Sequence, residues 1–286
     1  MIAITGANGN LGSATIQNLL QKTEASDIVA IVRNPETVVD FREQGVIILK
    51  ADYNDYNSLS KAFENVKTAL QVSTVGVDTP AAQFQEGNVV KAMETNQVSH
   101  IVYTSMVQAR PNTIFQGTAA QFHTEELIRK TGIPYTFFRN NMYMEAIPGL
   151  IGYALETGEI RYPSGNGKVG YASRQDIAEA IAKVLTAGNN MHENKTYEIT
   201  GSEAWSFRDL AQIISEEKGL TIKHLDISDE TFRMELNSYQ LPIQVVDLLV
   251  SMANAIKAGE FSHTENTLGK LLGRKPMDLT AYIKSL

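Results

Sequence analysis

The chain has 286 residues, 43% of them hydrophobic, a formal charge of −7 and no cysteine. The missing cysteines exclude disulfides, thiolate catalysis and cysteine-bound zinc or iron–sulfur centres, and scattered charge without a Lys/Arg block predicts no direct nucleic-acid binding. No apolar run reaches membrane length, no basic leader precedes the first apolar stretch, and the five histidines never fall at i,i+3 or i,i+4 spacing, so the expectation is a soluble cytoplasmic protein without a metal site.

Ile2 to Thr5 is a short apolar run that breaks into Gly6, Gly9 and Gly12, after which Leu11, Thr15, Ile16, Leu19 and Leu20 recur at helical spacing. This reads as strand, tight turn, helix. Glycine permits backbone angles that a side chain forbids, close approach of the main chain to a ligand, and close packing of helix on strand. The helix N-terminus then offers N–H groups and partial positive charge to a pyrophosphate. Gly6, Ala7, Asn8, Gly9, Asn10, Leu11 and Gly12 therefore form a candidate phosphate loop, spaced G-x-x-G-x-x-G rather than G-x-G-x-x-G. The bland alternative is an ordinary glycine-rich turn.

Asp27 to Arg33 reads as a buried parallel strand. NAD-preferring folds put an acid about twenty residues past the glycines to bind the ribose 2′-hydroxyl; here Arg33 and Asn34 stand at that place. A guanidinium there suits a 2′-phosphate, which predicts NADPH over NADH unless Arg33 is merely a solvated strand end.

The alternation continues with strands predicted at 46–49, 68–72, 101–104 and 135–138 and helices at 56–63, 81–95 and 121–130. Strands alternating with helices predict a Rossmann-like, doubly wound parallel sheet, whose ligands sit at the carboxyl ends of the strands. Those ends hold Asp52, a candidate for the adenine amino group or else a helix cap; Ser73, Thr74 and Val75; Thr104, Ser105 and Met106; and Asn140, Asn141, Met142, Tyr143, Met144 and Glu145, expected nearest the nicotinamide.

The alternation breaks at Pro148, Gly149, Gly152 and 163–167. Residues 1–141 with about 171–200 are expected to form the NADP-binding domain. About 142–170 with 201–286 form a smaller, mainly helical C-terminal lobe on the substrate side, with Lys168 assigned to the substrate. Gly167-Lys168 resembles the end of a P-loop, but Tyr162 and Val169 stand where that motif requires Gly and Ser or Thr. Capping boxes are expected at Ser173 to Asp176, which makes Asp176 structural, and at Ser206 to Asp209, with Trp205 and Leu210 as a hydrophobic staple.

Together the Thr5 to Gly12 loop, the Ile31-Val32-Arg33-Asn34-Pro35 strand end, Tyr103-Thr104-Ser105 and Pro134 to Asn140 resemble the NmrA-like group of atypical short-chain dehydrogenases/reductases, with particular likeness to its quinone and triphenylmethane-dye reductases. The resemblance implies flavin-free hydride transfer from NADPH, with the glycine loop, Arg33, Ser73 to Val75 and Asn140 to Glu145 around the cofactor. The Tyr-x-x-x-Lys pair of most short-chain dehydrogenases is absent. Gln121 stands where several NmrA-like reductases keep Lys or His, and Ala146 where similar quinone reductases tend to have asparagine.

The resulting expectation is a reductase of a quinone or similar electron-poor small molecule. Asn140 and Tyr143 would position the acceptor and donate to the developing oxyanion, Phe115, Met142 and Met144 would form its apolar wall, and Ser105 and Gln121 would join the cofactor site. No flavin or metal is expected, and the chain acts as a monomer or a homodimer. The competing readings are a dye reductase and a non-catalytic NADP(H) sensor of the NmrA type.

Overall fold

A computed structural model describes residues 1–74, 78–188 and 190–286. Its first half alternates strand and helix: β1 (Ile2–Thr5), α1 (Asn10–Leu19), β2 (Ile28–Val32), α2 (Val39–Glu43), β3 (Ile47–Lys50), α3 (Tyr56–Ala62), β4 (Thr68–Gln71), α4 (Thr79–Thr95), β5 (His100–Met106), α5 (Thr118–Thr131) and β6 (Tyr135–Asn140). Then come α6 (Ile147–Ile151), α7 (Ala154–Thr157), β7 (Glu159–Arg161), β8 (Lys168–Val169), α8 (Arg174–Thr186) and β9 (Lys195–Ile199). The chain ends with β10 (Trp205–Ser206), α9 (Phe207–Lys218), β11 (Lys223–Leu225), α10 (Asp229–Ser238), α11 (Ile243–Lys257), α12 (Thr267–Leu272) and α13 (Leu279–Ser285).

The main sheet runs β3-β2-β1-β4-β5-β6-β9, with every neighbouring pair parallel. Strand order reverses between β1 and β4, which opens a crevice at their carboxyl ends. β9 is the strand that sequence periodicity did not single out; Lys195-Thr196-Tyr197-Glu198-Ile199 is an edge strand whose inner end alone is buried. α1 and α8 cover one face through Leu11, Ile16, Leu19, Ile177 and Ile181. Leu59, Val89, Val90, Met93 and Ile128, from α3, α4 and α5, cover the other. The third core, around Phe207, Leu210, Ile214, Val246 and Phe261, belongs to the C-terminal lobe. Leu268 and Leu272 of α12 pack with the sheet-side core instead, so 201–286 is not purely a second lobe.

The two expected capping boxes differ. At Ser206 the box forms: its hydroxyl accepts from Asp209 N at 3.1 Å and Asp209 accepts from Ser206 N at 2.9 Å. At Ser173 it does not, because the Asp176 carboxylate turns to the Arg274 guanidinium at 2.7 Å and Met277 N at 2.6 Å. Asp176 is structural as expected, but it fastens the C-terminal segment to α8. Among the described residues, no helix is long and apolar enough to cross a membrane.

Candidate functional site

The turn after β1 is built on backbone. Gly6 has φ +58, a conformation that favours glycine, and Gly9 N donates to Gly6 O at 2.9 Å to close the turn. A Cβ on Gly12 would lie 2.4 Å from the Gly6 carbonyl oxygen, so α1 can pack this closely only without a side chain there. The helix starts at Gly9 with no side-chain cap and no acid in its first turn. Among the described residues, no side-chain cap or first-turn acid competes for an anion at that end.

Around this turn opens a groove of about 390 Å³, lined by Gly6, Asn8 and Gly9, by Val32 at the end of β2 and Arg33 after it, by 51–54 after β3, and by 72–74 after β4. Arg33 is exposed and makes no ion pair with the described residues. Asp52 lines the groove, and capping of α3 falls to Asp55, which accepts from Asn57 N and Ser58 N. Asn10 is exposed, whereas Ala7, Leu11 and Gly12 are buried in packing; only their main chain is available to a ligand. Val75 lies outside the described residues.

The strand ends are tied by a network that sequence reasoning did not find. The Tyr53 hydroxyl lies 2.5 Å from Thr5 Oγ1 and 3.1 Å from Val72 O, and burial pushes that phenol well up. Ser73 N donates to Thr104 Oγ1 at 2.9 Å. Glu86, fully buried in α4, accepts from Thr74 N at 2.7 Å, Thr74 Oγ1 at 2.8 Å and Tyr103 OH at 2.6 Å. These bonds hold the chain at 72–74 against the crevice.

Ser73 also lines a second, smaller cavity of about 180 Å³, shared with Ser105, Met106, Phe115, Gln121, Asn140–Tyr143, Ala146, Met252 and Phe261. The β5–β6 register sets Met106 against Asn140 and Ser105 against Arg139, so both strand ends reach this space. Among the described residues, its lining carries no His, Lys, Arg or carboxylate. Ser105 Oγ, Gln121 Oε1 and Asn140 Oδ1 are buried without a hydrogen-bond partner among the described residues. Buried polar atoms are ordinarily satisfied, so three orphans around one cavity mark a place for a polar ligand. Asn140 Nδ2 donates to the Tyr143 hydroxyl at 3.3 Å. The Arg174 guanidinium lies 4.8 Å over the Tyr143 ring. Burial is the largest influence on the Tyr143 phenol and raises its pKa.

Several expected site residues go elsewhere. Met144 is buried with the C-terminal lobe core and does not line this cavity, because its N–H bond to Ala172 O at 3.0 Å turns the chain away. The Glu145 carboxylate accepts from Arg174 N at 3.1 Å and caps α8. Asn141 lines the cavity, but its amide is taken by Phe261 O at 2.9 Å and Met142 N at 2.8 Å. Lys168 is exposed in β8, paired with β10, and lines neither the groove nor this cavity. Conversely, Met252 and Phe261 enter from the distant C-terminal lobe, where no local signal marked them. Phe115 is held from there too, by the Glu260 carboxylate, which accepts from Phe115 N at 3.2 Å and Ile114 N at 3.0 Å.

The sheet and crevice define a Rossmann-like α/β protein with a glycine-built turn and an uncapped helix start at its switch point. The model described as the NmrA-like family matches residues 1–283, and the chain belongs to that family. Quinone oxidoreductase 2 of Escherichia coli K12 is 35% identical over 288 residues, covering 100% of this chain and 98% of that one. The structure of Citrobacter sp. triphenylmethane reductase complexed with NADP(H) has a TM-score of 0.93 at 38% identity, covering 100% and 99% of the two chains. That of the NADPH-dependent quinone oxidoreductase of Escherichia coli complexed with NADPH has a TM-score of 0.94 at 33% identity, again over 100% and 99%.

Proposed function

We propose that the protein is an NADPH-dependent, flavin-free reductase that delivers hydride directly to a quinone or similar electron-poor conjugated acceptor. The chain is an oxidoreductase, as are the quinone oxidoreductases that it matches over its full length. The observation that carries the finer reading is the joining, through Ser73, of a phosphate-cradling groove to a neutral cavity ringed by three unpartnered buried polar atoms. In this reading residues 1–141 with about 171–200 hold the cofactor in a cytoplasmic protein, and the remaining segments roof the acceptor.

The 6–12 turn would hold the pyrophosphate, Arg33 the 2′-phosphate, Asp52 the adenine side, and Ser105, Gln121 and Asn140 the nicotinamide end. NADPH, when bound, supplies the hydride. Phe115, Met142 and Phe261 exclude water from the acceptor. Tyr143, steadied by Asn140, donates a hydrogen bond to the oxygen on which charge develops; aligned donors of this kind stabilise an oxyanion strongly in a dry site. A conjugated acceptor spreads the incoming charge, so this donor suffices without a Tyr-x-x-x-Lys pair.

The test is NADPH oxidation by purified protein on adding a simple quinone without flavin, with NADH in parallel. Rapid turnover favouring NADPH is expected; tight NADPH binding without turnover on quinones or triphenylmethane dyes would instead make the protein an NADP(H) sensor. Arg33→Ala should reduce the NADPH preference about tenfold to a hundredfold, the equivalent of ~1.5–3 kcal/mol for one charge-assisted hydrogen bond; an unchanged preference removes Arg33 from the site.

The turnover should also be flat between about pH 6 and 9, since nothing lining the acceptor cavity titrates there. Tyr143 donates as the neutral phenol, and because its pKa is raised that form persists through neutrality and is lost only as pH climbs through the raised value. Tyr143→Phe should lower kcat by about tenfold to a hundredfold at every pH in that window, with NADPH affinity unchanged; an unaltered kcat overturns its role.

A further inference from the structure

The loop between β5 and α5 lies at the surface but sends one ring inward. Ile114 and Gln116 are exposed, and Phe115 between them is buried in the wall of the cavity at Asn140. Three consecutive N–H groups of this loop donate across to the C-terminal lobe. Ile114 N and Phe115 N reach the Glu260 carboxylate at 3.0 and 3.2 Å, and Gln116 N reaches Ser251 Oγ at 3.4 Å. Glu260 and Ser251 are the chain neighbours of Phe261 and Met252, through which the lobe enters the cavity. The loop is thus fastened beside each of those two residues.

The two sides of this joint are not equally firm. On the lobe side, Glu260 N donates to Ala255 O at 3.0 Å at the end of α11, and Phe261 O accepts from Gly170 N at 3.0 Å and from Asn141 Nδ2 at 2.9 Å. The carboxylate and the Phe261 ring therefore start from fixed main chain. On the loop side, the Phe115 ring meets Phe261 edge-on with centroids 5.7 Å apart and folds back over Gly117, where a Cβ would lie 2.6 Å from the ring's Cζ. Gly117 has φ −60, which any residue adopts, so the glycine there makes room for the ring. The Glu260 side chain is 12% exposed, and hydrogen bonds to a carboxylate are stronger than neutral ones. The cavity closed in this way has about 180 Å³, below the roughly 300–1,000 Å³ of sites that take drug-sized ligands.

We propose that Glu260 is a positioning residue that limits acceptor size: by pinning the main chain at 114–115 to the lobe, it keeps the Phe115 ring closed on a space that admits a single-ring acceptor and turns away a three-ring dye. The kinetic consequence rests on the reductase reading above; the pinned wall does not.

With no cysteine in the chain, Ser105→Cys places a single thiol in the cavity wall, at a position 5% exposed. Its labelling by a maleimide dye, in the cofactor-free full chain, is expected to be slow and to quicken at least about tenfold when Glu260→Ala is added, as loss of one charge-assisted hydrogen bond predicts. Val89→Cys, in the core on the α3–α5 face of the sheet, reports general loosening and should label at one rate with or without Glu260→Ala; a merely structural glutamate would quicken both thiols. Glu260→Gln keeps one carbonyl oxygen for the loop and should fall between. In turnover with NADPH, without the cysteine changes, Glu260→Ala should raise KM for benzoquinone more than it lowers kcat, and should narrow the preference for benzoquinone over crystal violet about tenfold. Unchanged labelling of the Ser105→Cys thiol, matched quickening of the Val89→Cys thiol, or an unaltered acceptor preference overturns the proposal. If neither acceptor turns over, the reductase reading falls, and the labelling still decides whether Glu260 holds the wall.

Discussion

Gly12→Ala should weaken NADPH binding by roughly 10- to 100-fold while the protein remains folded. The added methyl would stand 2.4 Å from the Gly6 carbonyl oxygen and 2.9 Å from its carbon, and both are main-chain atoms that no rotamer change can move. Relief must come from lifting α1 off the turn or from opening the Gly9 N to Gly6 O bond, and either one shifts the N–H groups proposed to hold the pyrophosphate. Overpacking of this kind costs about 1–3 kcal/mol, which converts to the stated loss when it falls on the bound geometry. Gly9→Ala is the graded control, because its Cβ would meet the same oxygen at 3.2 Å, and its loss should be smaller. Titration of NADPH fluorescence, with a thermal melt on each variant, separates the outcomes. If folded Gly12→Ala protein binds NADPH as the parent does, this turn is not the phosphate site.

What could be read in advance divides along a physical line. Local order announces itself: Gly6, Gly9 and Gly12 at fixed spacing, followed by apolar residues at helical spacing, define strand, turn and helix. Parallel strands buried on both faces stand out as apolar runs, and strand order then places Ser73, Ser105 and Asn140 at one end of the sheet. Side-chain direction is less legible. Met144 and Glu145 follow Tyr143 directly and shared its expected role, yet the pairing of Tyr143 with Ala172 turns Met144 into the lobe core and Glu145 onto the start of α8. Lys168 reads as a substrate contact on position alone, and the β8–β10 pairing carries it away. Phe261 and Met252 reach the cavity at Asn140 through tertiary packing more than a hundred residues distant from it in the chain, a contact that no periodicity encodes.

Glu86 is the sharpest instance of a residue that sequence leaves silent, since an acid inside a helix ordinarily reads as a solvated face. Glu86→Ala should both destabilise the protein and loosen NADPH binding. It would strand Thr74 N, Thr74 Oγ1 and Tyr103 OH, all of which now donate to one fully buried carboxylate. A buried donor left unmade costs about 1–3 kcal/mol; Tyr103 is such a donor, whereas half-buried Thr74 lines the groove and can turn to water, so a loss of about 2–3 kcal/mol in a urea titration is expected. Glu86→Gln keeps the shape and one carbonyl oxygen; its amide NH₂ can donate to the Tyr103 hydroxyl after that group rotates, so the penalty should fall to about 1–2 kcal/mol. The order Ala below Gln below parent should appear in stability and again in NADPH affinity, because the Thr74 backbone is what Glu86 holds against the groove. Were Glu86→Ala to lose stability yet bind NADPH with parental affinity, the carboxylate would support the core beneath α4 and the 72–74 segment would owe its placement to the Thr104 and Tyr53 hydroxyls instead.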